Sequence, residues 1–191
     1  MIKAVIFDCF GVLIEKSFWD VYKTAGGDVL KDDQFIEEVL YKANAGSISH
    51  DEFNSLVADR LSISVPEYVA IVEREETPNL PLFKYIKDKL KSKYKIALLS
   101  NVNRGVIDTK ISPELRQVFD LEIISAEVGV QKPDPKIFEI TIQKLGINYD
   151  EAVFVDDRMK YLAPAAELGI KTVQYTDFVD TKHEIEKLLN G

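Results

Sequence analysis

Val5-Ile6-Phe7-Asp8-Cys9-Phe10-Gly11-Val12-Leu13 is the stretch whose reading decides the fold. Three apolar residues deliver a carboxylate, and a glycine follows shortly after. A short strand ending in an acid and then a turn puts that acid at the carboxyl edge of a sheet, where open α/β sheets bind their ligands. Far downstream, Ala152-Val153-Phe154-Val155 ends in Asp156-Asp157. Two strands that bring acids to one edge make a site for a hard cation, a nucleophilic carboxylate, or both. Capping of a following helix would explain either acid alone. It does not explain the two together with Ser100-Asn101 and Lys132-Pro133 between them.

Outward from these strands, further strand-like runs fall at Ile96–Leu99, Leu121–Ser125 and Lys171–Tyr175. Helical patterns lie between them. Leu82, Phe83, Ile86 and Leu90 share one helical face. Asp134-Pro135 reads as an N-cap followed by proline at the first helical position, and Gly146 closes that helix. Gly169 closes the helix after Asp157, and Pro164 inside it predicts a kink or a late start. Thr181 with Glu184 reads as a capping box for a C-terminal helix. Strands alternating with helices predict an α/β fold with a doubly wound parallel sheet. Residues 15–81 differ, with no strong strand signal. Ser49 with Glu52 and Ser64 with Glu67 are capping boxes, and Phe35, Ile36, Val39, Leu40 and Ala43 mark another helix. The expected organisation is a core of residues 1–14 and 82–191 with an inserted helical cap over 15–81.

Composition narrows the function classes. The chain has 191 residues, 46% hydrophobic and 29% charged, with a formal net charge of −8. That balance is ordinary for a soluble globular protein. An acidic chain without a compensating basic stretch argues against nucleic acid or an anionic membrane as partner. The lysines between Lys84 and Lys95 alternate with apolar residues at helical spacing and read as a solvated face. Cys9 is the single cysteine, so an intrachain disulfide is ruled out and a cytoplasmic location is the expectation. Beside Asp8 it reads as a packing residue. His50 and His183 fall in helix-start signals and are expected to be exposed. No apolar run is long enough to span a membrane, and the N-terminal run is too short for a signal peptide. Oligomeric state stays open.

Acids, a hydroxyl and a lysine on successive sheet-edge positions suit phosphoryl transfer. A carboxylate attacks phosphorus, and water hydrolyses the aspartyl-phosphate. A cation must first offset repulsion between carboxylate and phosphate. A lysine and a hydroxyl serve the equatorial oxygens.

The stretches VIFDCFGVL, ALLSN, VQKPDPKIF and VFVDD, in that order, resemble the haloacid dehalogenase superfamily. The resemblance covers the core, and a small helical insertion after the first strand fits it. It implies Asp8 as nucleophile, Ser100 and Asn101 at the phosphate, and Lys132 as organising cation. It implies a Mg²⁺ ion held by Asp8, Asp157 and the backbone carbonyl of Phe10, with Asp156 in support. The substrate implied is a small phosphate monoester of sugar-phosphate type. LSNVNR and the DD…LAPA stretch resemble the subgroup of bacterial sugar-phosphate phosphatases and the phosphatase domain of soluble epoxide hydrolase. Two residues depart from the pattern. Family phosphatases usually carry a second Asp where Phe10 stands, and that subgroup an Asn where Tyr161 stands. A phenyl ring neither protonates a leaving alcohol nor activates water. Three readings therefore compete: a phosphatase slowed by Phe10, a metal- and phosphate-binding module without turnover, and a 2-haloacid dehalogenase. The last class also has an aromatic residue there but typically neutral residues in place of Asp156-Asp157. Phe18, Trp19 and Tyr22 are candidates for an aromatic wall over the substrate, Arg104 for contact with an anionic substrate, and Arg158 for balancing the acid pair.

Overall fold

In the computed structural model, which describes residues 1–190, five parallel strands form one sheet. They are β1 (Ala4–Phe7), β2 (Lys95–Ser100), β3 (Leu121–Ile124), β4 (Ala152–Asp156) and β5 (Lys171–Gln174), in the order β3-β2-β1-β4-β5. The strand order reverses at β1, so the ligand-binding crevice of such a sheet opens there. Helices cover both faces, which is why the strand sequences are continuously apolar. Their alternation still divides the core. Val5, Phe7, Ile96, Leu98, Val153 and Val155 pack on one side, with Leu82, Ile86 and Leu90 from α5 (Leu80–Tyr85) and the π-helical turn that continues it (Ile86–Leu90). Ala4, Ile6, Ala97, Leu99 and Phe154 face the other side, against α6 (Pro135–Leu145) and α7 (Met159–Glu167).

Four helices form the cap: α1 (Phe18–Thr24), α2 (Val29–Asn44), α3 (His50–Leu61) and α4 (Val65–Glu75). Ser49 and Ser64 cap α3 and α4 through the backbone N–H groups of Glu52 and Glu67, so both helix starts are as expected, but the reciprocal glutamate half of each expected capping box is not formed. The cap has its own core around Ile36, Val57 and Tyr68. Inside it the Tyr22 hydroxyl donates to Asp32 (2.7 Å), and Arg60 Nε donates to the other carboxylate oxygen (2.6 Å). Tyr22→Phe leaves a buried acceptor short of a donor and is expected to cost about 1–3 kcal/mol, readable as a lower urea midpoint.

Two local expectations are corrected and a third is narrowed. The cap's return crosses at residues 77–79, where Glu15 N–H donates to the Thr77 carbonyl and Asn79 N–H to the Leu13 carbonyl. Pro81 lies in the first turn of α5, whose apolar face belongs to the core, so residues 79–81 go with the core. Helix α7 starts at Met159 with Pro164 inside it, so of the two alternatives only the late start is excluded. The C-terminal helix α8 (Phe178–Asn190) starts a turn before Thr181. Asp177 accepts from the Val179 and Asp180 N–H groups, while Thr181 is buried and accepts from Thr176 N–H. The carboxylate at the true start provides the stronger cap.

Candidate active site

The register of the sheet assembles the acids. Phe7 pairs with Val155, so Asp8 and Asp156 leave adjacent strands side by side. Asp8 N–H still donates to the Val155 carbonyl (2.9 Å). The chain then turns, with the Val12 and Ile14 N–H groups on the Cys9 carbonyl and the Gly11 N–H on the Ile14 carbonyl. The Phe10 carbonyl takes none of these turn bonds. Gly11 has φ +86°, and a Cβ there would lie 2.8 Å from Asp157 Oδ2. Glycine is required on both counts. Cys9 is fully buried, as a packing residue would be.

Lys132 joins the acids. Its side chain is fully buried, and Nζ donates to Asp8 Oδ1 and Asp156 Oδ2, both at 2.7 Å. The ammonium also lies over the rings of Phe154 (5.3 Å) and Tyr161 (4.9 Å). Burial disfavours its charge, but Asp156 and Asp8 outweigh that and hold its pKa above the ordinary lysine range. Asn101 fixes the loop that carries it. Asn101 Nδ2 donates to the Lys132 carbonyl (2.7 Å), and Oδ1 accepts from the Lys132 N–H (2.8 Å). The Asn101 side chain therefore positions Lys132, while Asn101 itself stays on the wall of the cavity beside Ser100.

One lysine does not balance three acids. Oxygen atoms of Asp8, Asp156 and Asp157 lie within 4.8 Å of one another. Burial, then Asp156, pushes the Asp8 carboxyl up to about 7, and the same two causes push Asp157 up to about 6. Asp157 Oδ1 and Ser100 Oγ are buried and have no hydrogen-bond partner. Asp156 differs, because Lys132 Nζ and the Arg158 N–H (2.9 Å) engage both of its oxygens. A hard cation with oxygen ligands fits this set: Asp8 and Asp157 offer free oxygens, and Asp156 supports them.

The cap closes a cavity of about 410 Å³ over this edge. Phe10, Phe18 and Trp19 are on its wall. Tyr22 is not, because it is buried inside the cap. Arg104 is exposed and off the cavity wall. Arg158 pairs with Glu37 of the cap (3.1 Å), as does Lys160 (3.1 Å), and both cations lie over the Tyr161 ring. His50, expected to be exposed, is partly buried on the cavity wall, whereas His183 is exposed. Sequence reasoning missed Glu37 and the Glu76–Lys110 ion pair (2.6 Å) beside the cavity. Their partners lie far away in sequence and carry no local signal.

A family model for haloacid dehalogenase-like hydrolases matches residues 2–169. The chain belongs to this family. The hydrolase is 28% identical to D-ribitol-5-phosphate phosphatase of Bacteroides thetaiotaomicron over 208 residues, all of both proteins. It is 29% identical to acyl-CoA dehydrogenase family member 10 of Mus musculus over 205 residues, covering 98% of this chain but only 19% of that protein. Among solved structures, a family enzyme of Bacteroides thetaiotaomicron in complex with magnesium and inorganic phosphate superposes with a TM-score of 0.70. The match is 25% identical and covers 94% of this chain and 98% of that one. No helix among the described residues is long and apolar enough to cross a membrane.

Proposed function

We propose that this hydrolase cleaves small phosphate monoesters with magnesium, through an aspartyl-phosphate on Asp8. The observation that carries the proposal is the buried Asp8–Lys132–Asp156 bridge beside two unpartnered oxygens, Asp157 Oδ1 and Ser100 Oγ. The relatives support it, one named as a sugar-phosphate phosphatase and one in complex with magnesium and phosphate.

Lys132 donates to Asp8 Oδ1 and so fixes the carboxylate that attacks phosphorus. The P–O bond to the alcohol breaks as the bond to Asp8 forms. Water then attacks phosphorus, releases inorganic phosphate and regenerates the carboxylate. Ser100 Oγ donates to an equatorial phosphate oxygen, and Lys132 offsets charge there. Magnesium, when bound by Asp8, Asp157 and the Phe10 carbonyl, neutralises charge between the acids and the phosphate. Phe10 supplies no proton, so a poor leaving group departs slowly.

An activated aryl phosphate hardly needs that proton. Magnesium-dependent release from it is the expected result, and no release from folded, magnesium-loaded protein would move the reading to a binding module. Phe10→Asp restores an acid on the cavity wall, and hydrolysis of alkyl phosphates is expected to rise by roughly 10²–10⁴-fold. An unchanged rate in a folded variant would count against the phosphatase reading. Magnesium at about 100 times its dissociation constant is expected to add about 2.7 kcal/mol, a rise in Tm of roughly 5–11 °C. Asp157→Asn should remove that rise. Dehalogenation of a 2-haloacid is disfavoured, because the clustered acids repel a carboxylate substrate.

A further inference from the structure

The cavity under the cap has many polar residues on its wall, but most of them already have partners. Asn101 holds the Lys132 loop. Asn103 Nδ2 donates to the Ile48 carbonyl (2.7 Å), and its Oδ1 accepts from Arg104 N–H (2.8 Å). Glu37 is tied to Arg158 and Lys160, and Gln131 Nε2 donates to the Tyr41 carbonyl (3.2 Å). The Ser17 hydroxyl donates to Asp20 (2.6 Å). Glu76 and Lys110 are paired, with side chains only 9% and 10% exposed.

The cap's remaining contribution is mostly carbon: Phe18, Trp19, Phe53 and Val72 all line the space. The rings brace one another. Phe18 meets Trp19 edge-on at 5.5 Å and Phe53 at 5.7 Å. The wall is thus preformed. Tyr41 and Asn44 on α2, His50 and Asn54 on α3 and Tyr68 on α4 are the polar cap residues on the wall whose side chains make none of these bonds. Burial and the nearby Lys110 push the His50 pKa down, which favours the neutral imidazole.

Resting on the phosphatase reading, we infer that the cavity selects monoesters whose leaving alcohol is a compact aromatic or alicyclic body over polyol phosphates. A polyol seated against Phe18, Trp19, Phe53 and Val72 would turn hydroxyls towards carbon and strip them of water without replacement. A ring buries apolar surface and meets Phe18 and Trp19 in the edge and offset geometries aromatic groups favour. The free polar side chains of α2, α3 and α4 can serve a polar substituent on that ring. This departs from the sugar-phosphate class that the family resemblance implies.

Trp19 is the only tryptophan, so its emission reports occupancy of the cavity without any turnover. In the magnesium-loaded wild-type protein, benzylphosphonate and a pentitol phosphonate are titrated against that emission. Benzyl phosphate and a pentitol phosphate are then compared as substrates. Both leaving groups are alkyl alcohols, so their chemistry does not separate them. The expected result is a Trp19 response to benzylphosphonate, with binding and kcat/KM both favouring the benzyl compound by about tenfold or more. Phe18→Ala should shrink that preference while leaving inhibition by inorganic phosphate unchanged. Turnover of the pentitol phosphate as well as or better than the benzyl ester would overturn the inference and leave the phosphatase reading standing. A benzylphosphonate-selective Trp19 response with no turnover of either ester would support the cavity's selectivity, and failure to cleave the activated aryl phosphate as well would sink the phosphatase reading. No Trp19 response to either phosphonate would overturn the inference.

Discussion

Asp8→Asn is expected to lower magnesium-dependent aryl phosphate hydrolysis by roughly 10⁴-fold or more, the scale seen when a covalent nucleophile is removed. The substitution is nearly isosteric. The amide oxygen can still accept from Lys132 Nζ, which lies 2.7 Å from Asp8 Oδ1. It also removes one of three acids whose oxygens lie within 4.8 Å of each other. The metal-free variant should therefore unfold at the same temperature as wild type or higher, because like-charge repulsion falls. Loss of activity with an unchanged or raised Tm assigns the effect to chemistry. Retained activity in the folded variant would rule out Asp8 as nucleophile, and with it the aspartyl-phosphate route.

Lys132→Met should have the largest effect on stability. The ammonium is fully buried and joins two carboxylates that are also buried, Asp8 and Asp156. Removing one partner of such a group leaves uncompensated buried charge, at a cost of about 3–5 kcal/mol. For a chain of this size that lowers Tm by roughly 6–20 °C. The double variant Lys132→Met/Asp156→Asn should recover part of the loss, because the acid left behind is what destabilises the single variant. The coupling is read by a double-mutant cycle in urea. Additive losses would mean that Lys132 acts through packing on Phe154 and Tyr161 and not through charge. Activity should fall in both variants, since the same ammonium faces the phosphate in the proposed mechanism.

The main elements of both the sheet and the site were legible in sequence for one reason. Strands buried on both faces must be apolar throughout, so Val5-Ile6-Phe7 and Val153-Phe154-Val155 stand out, and the residue after each is at the open edge. The helix starts at Ser49 and Ser64 were legible because capping is a contact within one turn. The same local logic failed at the C-terminal helix. Thr181 and Glu184 satisfy a capping pattern, but Asp177 one turn earlier gives the backbone a charged acceptor. Nor could that logic show what the Asn101 side chain holds, since that side chain is engaged by the backbone of Lys132, 31 residues away.

By itself the sequence determined the parallel α/β core, the helical cap between its first two strands, and the acids, hydroxyl and lysine that share one edge. Those follow from burial and from short-range hydrogen bonding, which act on neighbouring residues. Only the tertiary structure decided which acids share Lys132, which oxygens lack partners, and which side of the cap faces the site. It turned Tyr22 inward to Asp32 and kept Trp19 on the cavity wall, although the two lie within one helical turn. It also brought Glu37 to Arg158 across 121 residues. Charge pairing and cavity shape depend on distances between elements far apart in the chain, and those distances exist only once the cap has packed on the sheet.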